Sequence, residues 1–178
     1  MPAAAGSAYN AVVRGLTPEE QQTLITLLRR TRWAALATAR DNEPLSSWVA
    51  VVGDEPPGDF LLHLSHLALH TRYLFTNSRA SLALTDLDED RTRDPQTLAR
   101  VSLQGRIEPI ARETAAYEQG RSRYLAALPH AQVQFTLGDF HLMRFMTENA
   151  RFVPGFGRAH RLDAGALQSL FEYRQKES

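Results

Sequence analysis

Apolar positions recur along this chain at two spacings, and the places where one gives way to the other divide it into elements. Leu24, Leu27 and Leu28 fall on one face at helical spacing. They follow Thr17-Pro18-Glu19-Glu20, a hydroxyl cap with proline at the first helical position and Glu three after the cap, and they stop at Arg29-Arg30, whose charges suit a helix C-terminus. A helix is predicted there. Residues 1–16 are small and mixed, with no clear period, and read as an N-terminal arm to a single domain over 17–178. Trp33 to Ala39 and Leu45 to Val52 then read as two strands joined by Asp41-Asn42-Glu43-Pro44, a hairpin. Phe60 to Leu64 is a third strand, reached through the Pro- and Gly-bearing loop 53–59.

Ser65 is placed to cap a second helix, in which Leu67, Tyr73 and Leu74 make a helical stripe ending near Asn77. Ala80 to Thr85 is a short strand, and Arg100 to Ile110 is a long one broken by Gly105, a bulge or a point of close approach. Arg112 to Leu128 is a helix stopped by Pro129. Phe140 to Thr147 alternates as a strand, Arg151 to Val153 is a candidate for one more, and a last amphipathic helix begins at Asp163. Short turns between strands favour antiparallel pairing, so the expected fold is mainly β (α+β), an antiparallel split or closed barrel with flanking helices.

Composition narrows the functions this fold can carry. Lys plus Arg and Asp plus Glu balance at 20 each, so no global positive field gathers nucleic acid or a membrane surface, and neither is an expected partner. Cysteine is absent, which removes disulfides, thiolate metal sites, iron–sulfur clusters and thiol nucleophiles. No apolar run approaches the ~20 residues of a membrane span, and the opening Met-Pro-Ala-Ala-Ala-Gly-Ser lacks the pattern of a secretory signal, so a cytoplasmic location is expected. The one lysine is Lys176, which sets aside Schiff-base chemistry in the body of the chain. Phosphate-loop, dinucleotide, nucleophile-elbow and His-Glu-x-x-His motifs are all missing.

Two clusters hold candidate chemistry. His63-Leu64-Ser65-His66-Leu67-Ala68-Leu69-His70-Thr71-Arg72 runs from strand into helix, where amides at a helix start together with Ser65, Thr71 and Arg72 could take a phosphate or carboxylate; a plain capped helix with solvated histidines is the alternative. Arg151-Phe152-Val153-Pro154-Gly155-Phe156-Gly157-Arg158-Ala159-His160 brings two glycines, two charges and an imidazole together, or simply turns the chain into its last helix. Ser46 and Trp48 share one strand face, and Arg100, Gln104 and Arg106 another if the register holds through Gly105; either set could line a cavity.

The order of Trp33-Ala34-Ala35-Leu36-Ala37-Thr38, Pro44-Leu45-Ser46-Ser47, Leu64-Ser65-His66-Leu67-Ala68-Leu69-His70-Thr71, Arg100-Val101-Ser102-Leu103-Gln104-Gly105, Gly138-Asp139-Phe140 and Phe156-Gly157-Arg158-Ala159-His160 resembles a known family. It is that of the FMN-binding split-barrel proteins related to pyridoxamine 5′-phosphate oxidase, and within it the heme-utilisation, HugZ-like branch. The resemblance implies a homodimer with two ligand sites across its interface and a flavin-dependent oxidoreductase with FMN as cofactor. By position it implies Ser65, His70, Thr71 and Arg72 at the flavin phosphate, Ser46, Ser47 and Trp48 beside the ring, and Gln104 at the ring edge. Where the oxidases carry an Arg-Lys pair, this chain has Leu69-His70. For the heme branch the resemblance implies a porphyrin ligand with His160 on the iron and Asp139 as a carboxylate orienting an imidazole. A cofactor-free binding dimer is the third alternative.

Overall fold

The computed structural model describes residues 15–176. The predicted N-terminal arm lies outside them except for Gly15 and Leu16, and Leu16 is buried in the core. Helix α1, Pro18–Arg30, begins as its sequence signals: the Thr17 hydroxyl accepts from the Glu20 amide at 3.2 Å, and the Glu20 carboxylate accepts from the Thr17 amide at 2.7 Å. Two donors that the helix start would orphan are thereby satisfied. Strands β1, Trp33–Arg40, and β2, Glu43–Ala50, form the predicted hairpin, turned at Asp41 and Asn42. Both have positive φ, which Asp and Asn tolerate better than most residues.

Next come β3, Val52–Gly53, and β4, Phe60–Ser65, then helix α2, Leu69–Thr76, and strands β5, Arg79–Thr85, and β6, Arg100–Pro109. Helix α3, Ala115–Ala127, starts later than the pattern suggests, because Glu113 turns with φ 65° and Thr114 becomes the cap, its hydroxyl accepting from the Tyr117 amide. Pro129 opens a 3₁₀ turn, Pro129–Thr136, instead of ending regular structure. Strand β7, Phe140–Gly155, merges the two predicted strands of this region, and β8, Arg158–Asp163, precedes helix α4, Ala164–Lys176. The eight strands form one antiparallel sheet in the order β2-β1-β5-β6-β7-β4-β3, with β8 also on β7. It curls into a half-barrel with helices packed around it, the split barrel that the element order predicts.

The inner face holds the main core, where Leu36, Leu62, Leu103, Phe145 and Phe152 meet Leu24 of α1, Leu74 of α2 and Leu167 of α4. A smaller cluster lies outside β4, where Leu61 and Leu142 meet Tyr117 and Tyr124 of α3 and Phe135 of the 3₁₀ turn. Strand β4 is covered on both faces, which is why its sequence runs Phe-Leu-Leu-His-Leu without alternation. His63 belongs to this second layer. It is 6% exposed, its ring stacks on Phe135 at 3.8 Å between centroids, and neither ring nitrogen finds a hydrogen-bond partner.

Gly105 faces Met146 so closely that a Cβ there would stand 1.9 Å from the Met146 carbonyl oxygen. At that point the register shifts: Gln104 pairs with Asn149 and Gly105 with Thr147, leaving Glu148 as the extra residue of a bulge on β7. Strand β6 keeps its alternation through Gly105, so Ser102, Gln104 and Arg106 stay on one face. The bulged segment is held from the other side, with the Thr147 amide donating to the Asp59 carboxylate at 2.8 Å and its hydroxyl to the Gly58 carbonyl at 2.6 Å.

Two stability measurements check this packing. Gly105→Ala should cost ~2 kcal/mol or more in a urea titration, since backbone cannot withdraw as a side chain can; a loss below ~0.5 kcal/mol would contradict the close approach. Burial first, then the charge of Arg112 and the nearby His141, depress the His63 pKa to about 4. An unfolded histidine titrates near 6.5, so the stability due to neutral His63 is complete above that pH and is lost as pH falls from 6.5 to about 4, by roughly 3 kcal/mol in all. His63→Phe should remove that part of the acid slope, whereas an unchanged slope would mean another group carries it.

Candidate functional site

Helices cover the inner face and the outside of β4, but the outer positions of β2, β1, β5, β6, the second half of β7 and β8 stay open. Cross-strand register aligns them in two rows. One row runs Trp48, Ala35, Ala83, Ser102, Arg151, Arg161, and the next runs Ser46, Ala37, Ser81, Gln104, Asn149, Asp163. At ~4.8 Å between strands the rows extend about 24 Å from β2 to β8. Their middle, Ala35, Ala37, Ser81, Ala83 and Ser102, carries nothing larger than a hydroxymethyl group, so it makes a low platform of small side chains. Trp48, 58% exposed and stacked on Trp33 with ring planes 6° apart, bounds one end; Arg151 and Arg161 bound the other.

Three adjoining cavities run along the platform. The largest, about 810 Å³, is lined by Ser81, Ser102, Gln104, Asn149, Arg151, Arg161 and Asp163. A second of about 350 Å³ shares Ser102 and Arg151 with it and reaches Ala35, Ala83, Arg100 and Trp48. A third of about 410 Å³ shares Ser81, Gln104 and Asn149 and extends to Ala37 and Pro44. The chemistry on offer is a surface of small side chains that a planar group could approach closely, amide and hydroxyl donors along its length, and guanidinium charge at one end.

The residues singled out in the sequence divide among three places. Ser46, Trp48 and Gln104 lie on the platform face, whereas Ser47 alternates to the opposite side of β2 and is only half-exposed. Ser65 ends β4, His70, Thr71 and Arg72 lie in the first turn of α2, and none of them lines these cavities. Ser65 does not cap α2. Ala68 is the cap residue, and its methyl group can accept no bond; the Ser65 hydroxyl instead donates to the Asp139 carboxylate at 2.5 Å while accepting from the Leu67 amide. Thr71 is fully buried with an unpartnered hydroxyl, Arg72 points to solvent, and burial depresses the His70 pKa. His66 and His141 form a triangle of rings with Phe75, and the His141 pKa is also depressed, by burial first and then by His66 and Arg112. At neutral pH His70 and His141 are therefore uncharged.

His160 lies under β8, on the inner side, and not on the platform. Its ring faces Phe152 at 6.4 Å and its Nε2 is 3.6 Å from the Glu20 carboxylate, which also pairs with Arg158 at 3.1 Å. Asp139 is engaged by Ser65 at the other end of β7, so the two residues the heme reading links are far apart in the fold. Ser81, Asn149, Arg161 and Asp163 line the site without having been legible as lining residues. The period-two alternation of β5 could have found Ser81; β8, with one buried residue among exposed and half-exposed neighbours, offered no such signal for Arg161.

Comparison with known proteins adds a family to this geometry. Residues 20–169 match the family model described as CREG, beta-barrel. A stretch of 103 residues, 57% of this chain and 29% of the relative, is 36% identical to the chloroplastic heme oxygenase HOZ of Arabidopsis thaliana. The solved structure of a heme-binding protein from Mycobacterium smegmatis superposes with a TM-score of 0.76 at 27% identity, over 86% of this chain and 62% of that one. A pyridoxinephosphate oxidase-family protein of Clostridium acetobutylicum shares the fold at a TM-score of 0.61 and 13% identity, over 85% of this chain and 99% of that one. The chain thus spans less than a third of the curated relative and under two thirds of the mycobacterial protein.

The unpartnered Thr71 hydroxyl gives a direct check of the β4–α2 segment. Thr71→Val removes a buried polar group that nothing satisfies, so stability in urea should hold or rise by about 1 kcal/mol. A fall of that size would mean the hydroxyl has a partner.

Proposed function

The chain belongs to the CREG β-barrel family, and from that premise we propose that it binds heme on the outer face of its split barrel. The observation that carries this reading is the platform itself: five small side chains in register, open to solvent, between an aromatic rim and a pair of guanidinium groups. A flat macrocycle needs such a surface for its face, and its carboxylates need cations at one edge. Two of the relatives above 25% identity, the Arabidopsis and the mycobacterial protein, are named for heme, which supports the same choice.

Bound heme would supply electron transfer and oxygen chemistry; the protein's part is to bind and orient it. Trp48 limits sliding toward β2, Ser102 and Gln104 offer donors along the platform, and Arg151 and Arg161 fix the end on which the carboxylates lie. Among the described residues no imidazole faces the platform. His160 is held on the inner side of β8 against Phe152 and Glu20, so it is not placed to ligate an iron on the platform.

FMN is the second reading, favoured by Ser46, Trp48 and Gln104 sharing the platform face. Under it the protein is a flavin-dependent oxidoreductase. In either reading two copies pair across this side, closing the free edges of β2 and β8, and sedimentation should give about twice 19.9 kDa.

Hemin titration of the purified protein is expected to produce a Soret band saturating at micromolar ligand, while FMN quenching stays weak. His160→Ala should leave that band in place. Strong FMN quenching with no Soret band would reverse the order of the two readings, and a blank for both ligands would refute each.

A further inference from the structure

We propose that Arg151 and Arg161 form a clamp for the oxyanion end of the ligand that the outer face binds, the paired carboxylates of a tetrapyrrole or the phosphate of a flavin nucleotide. The flat part of that ligand rests on the proposed heme or flavin function; the clamp has its own geometry. Arg151 and Arg161 stand directly opposite each other in the β7–β8 register, and both line the 810 Å³ cavity. Like charges facing each other across a strand pair destabilise a sheet. The same sheet holds a second such pair, Arg79 opposite Arg106, and there the chain supplies an acid: Arg106 Nε donates to the Glu148 carboxylate at 3.1 Å.

No counter-charge of that kind reaches the first pair. Among the described residues neither Arg151 nor Arg161 has an ion pair or a side-chain hydrogen bond. The carboxylate of Asp163, two positions on and on the same face, accepts from the Ala166 amide at 2.8 Å as the cap of α4. Arg100, at the other side of the cavities, donates instead to the carbonyls of Gln96 and Leu98. Ser102 continues the line on β6, opposite Arg151. Two guanidinium forks and a hydroxyl therefore converge with donors free, the arrangement that takes an oxyanion by several charge-assisted bonds.

The test compares wild type with the double variant Arg151→Gln/Arg161→Gln. Hemin should bind the variant roughly ten- to a hundredfold more weakly, with hemin dimethyl ester binding both proteins alike. The same contrast between FMN and riboflavin would assign the phosphate instead. Without ligand, Arg161→Gln alone should raise Tm by about 1–3 °C, because the facing charges are relieved. Equal loss of charged and uncharged ligands, or no loss of either, overturns the clamp. If wild type binds none of the four, the reading of the face fails and pyrophosphate decides the clamp by itself: a rise in Tm at millimolar pyrophosphate in wild type alone sustains it, and no rise ends it. A variant that sediments as a monomer where wild type is a dimer, with ligand affinity unchanged, would assign the arginines to a contact between copies and overturn the proposal.

Discussion

Between Thr147 and Asn149, strand β7 carries Glu148 without a partner on β6, and the Met146 carbonyl comes to where any side chain at position 105 would stand. That extra residue reverses the parity of the strand. Before it, Met143 and Phe145 face the core; after it, Ala150 and Phe152 do. Had the alternation run on unbroken, Arg151 would point into the core and Phe152 into solvent, since a slip of one residue exchanges the faces of the whole remaining strand. The other edge of β7 changes partner over the same stretch, from β4 up to Phe145 to β8 from Asn149. One bulge thus ends the helix-covered part of the barrel and begins the open platform.

The surroundings hold that bulge in place. Asp59 takes the Thr147 amide, and the Asp54 amide donates to the Asp59 carbonyl. Asp54 in turn, its side chain 4% exposed, receives Arg123 of α3 and Arg144 of β7, each at 2.6 Å. The loop between β3 and β4 is therefore tied to the strand that turns the sheet outward. Burial raises the Asp59 pKa and the bond from Thr147 lowers it, so the carboxylate depends on the bulge as the bulge depends on it.

Much of this was legible in the sequence where alternation is unbroken. The α1 capping box, the β1–β2 hairpin, and β6 with its close approach at Gly105 all arise from local chemistry. Residues 140–155 read as two strands because the change of parity at Glu148 breaks the period that reveals a strand. Strand β8 read as a turn because Arg158, Ala159, Arg161 and Asp163 are exposed and leave only Leu162 buried. The site divided the same way. Ser46, Trp48 and Gln104 could be placed on a face by counting in twos, but the row that joins them to Arg151 and Arg161 exists only in the register of six strands. Ser65, expected as a helix cap, is bound to Asp139, a partner 74 positions away that no local pattern announces.

Function then rests on which surface holds the ligand, the platform or the β4–α2 connection. Ferric heme answers this itself, because its paramagnetism erases the amide NMR signals of residues close to the iron. If the platform is the site, substoichiometric hemin will first remove the signals of Ala83, Ser102, Gln104 and Arg151 and leave those of Ser65 to Arg72 sharp. Loss centred on Ser65 to Arg72, with the platform amides unchanged, would contradict it.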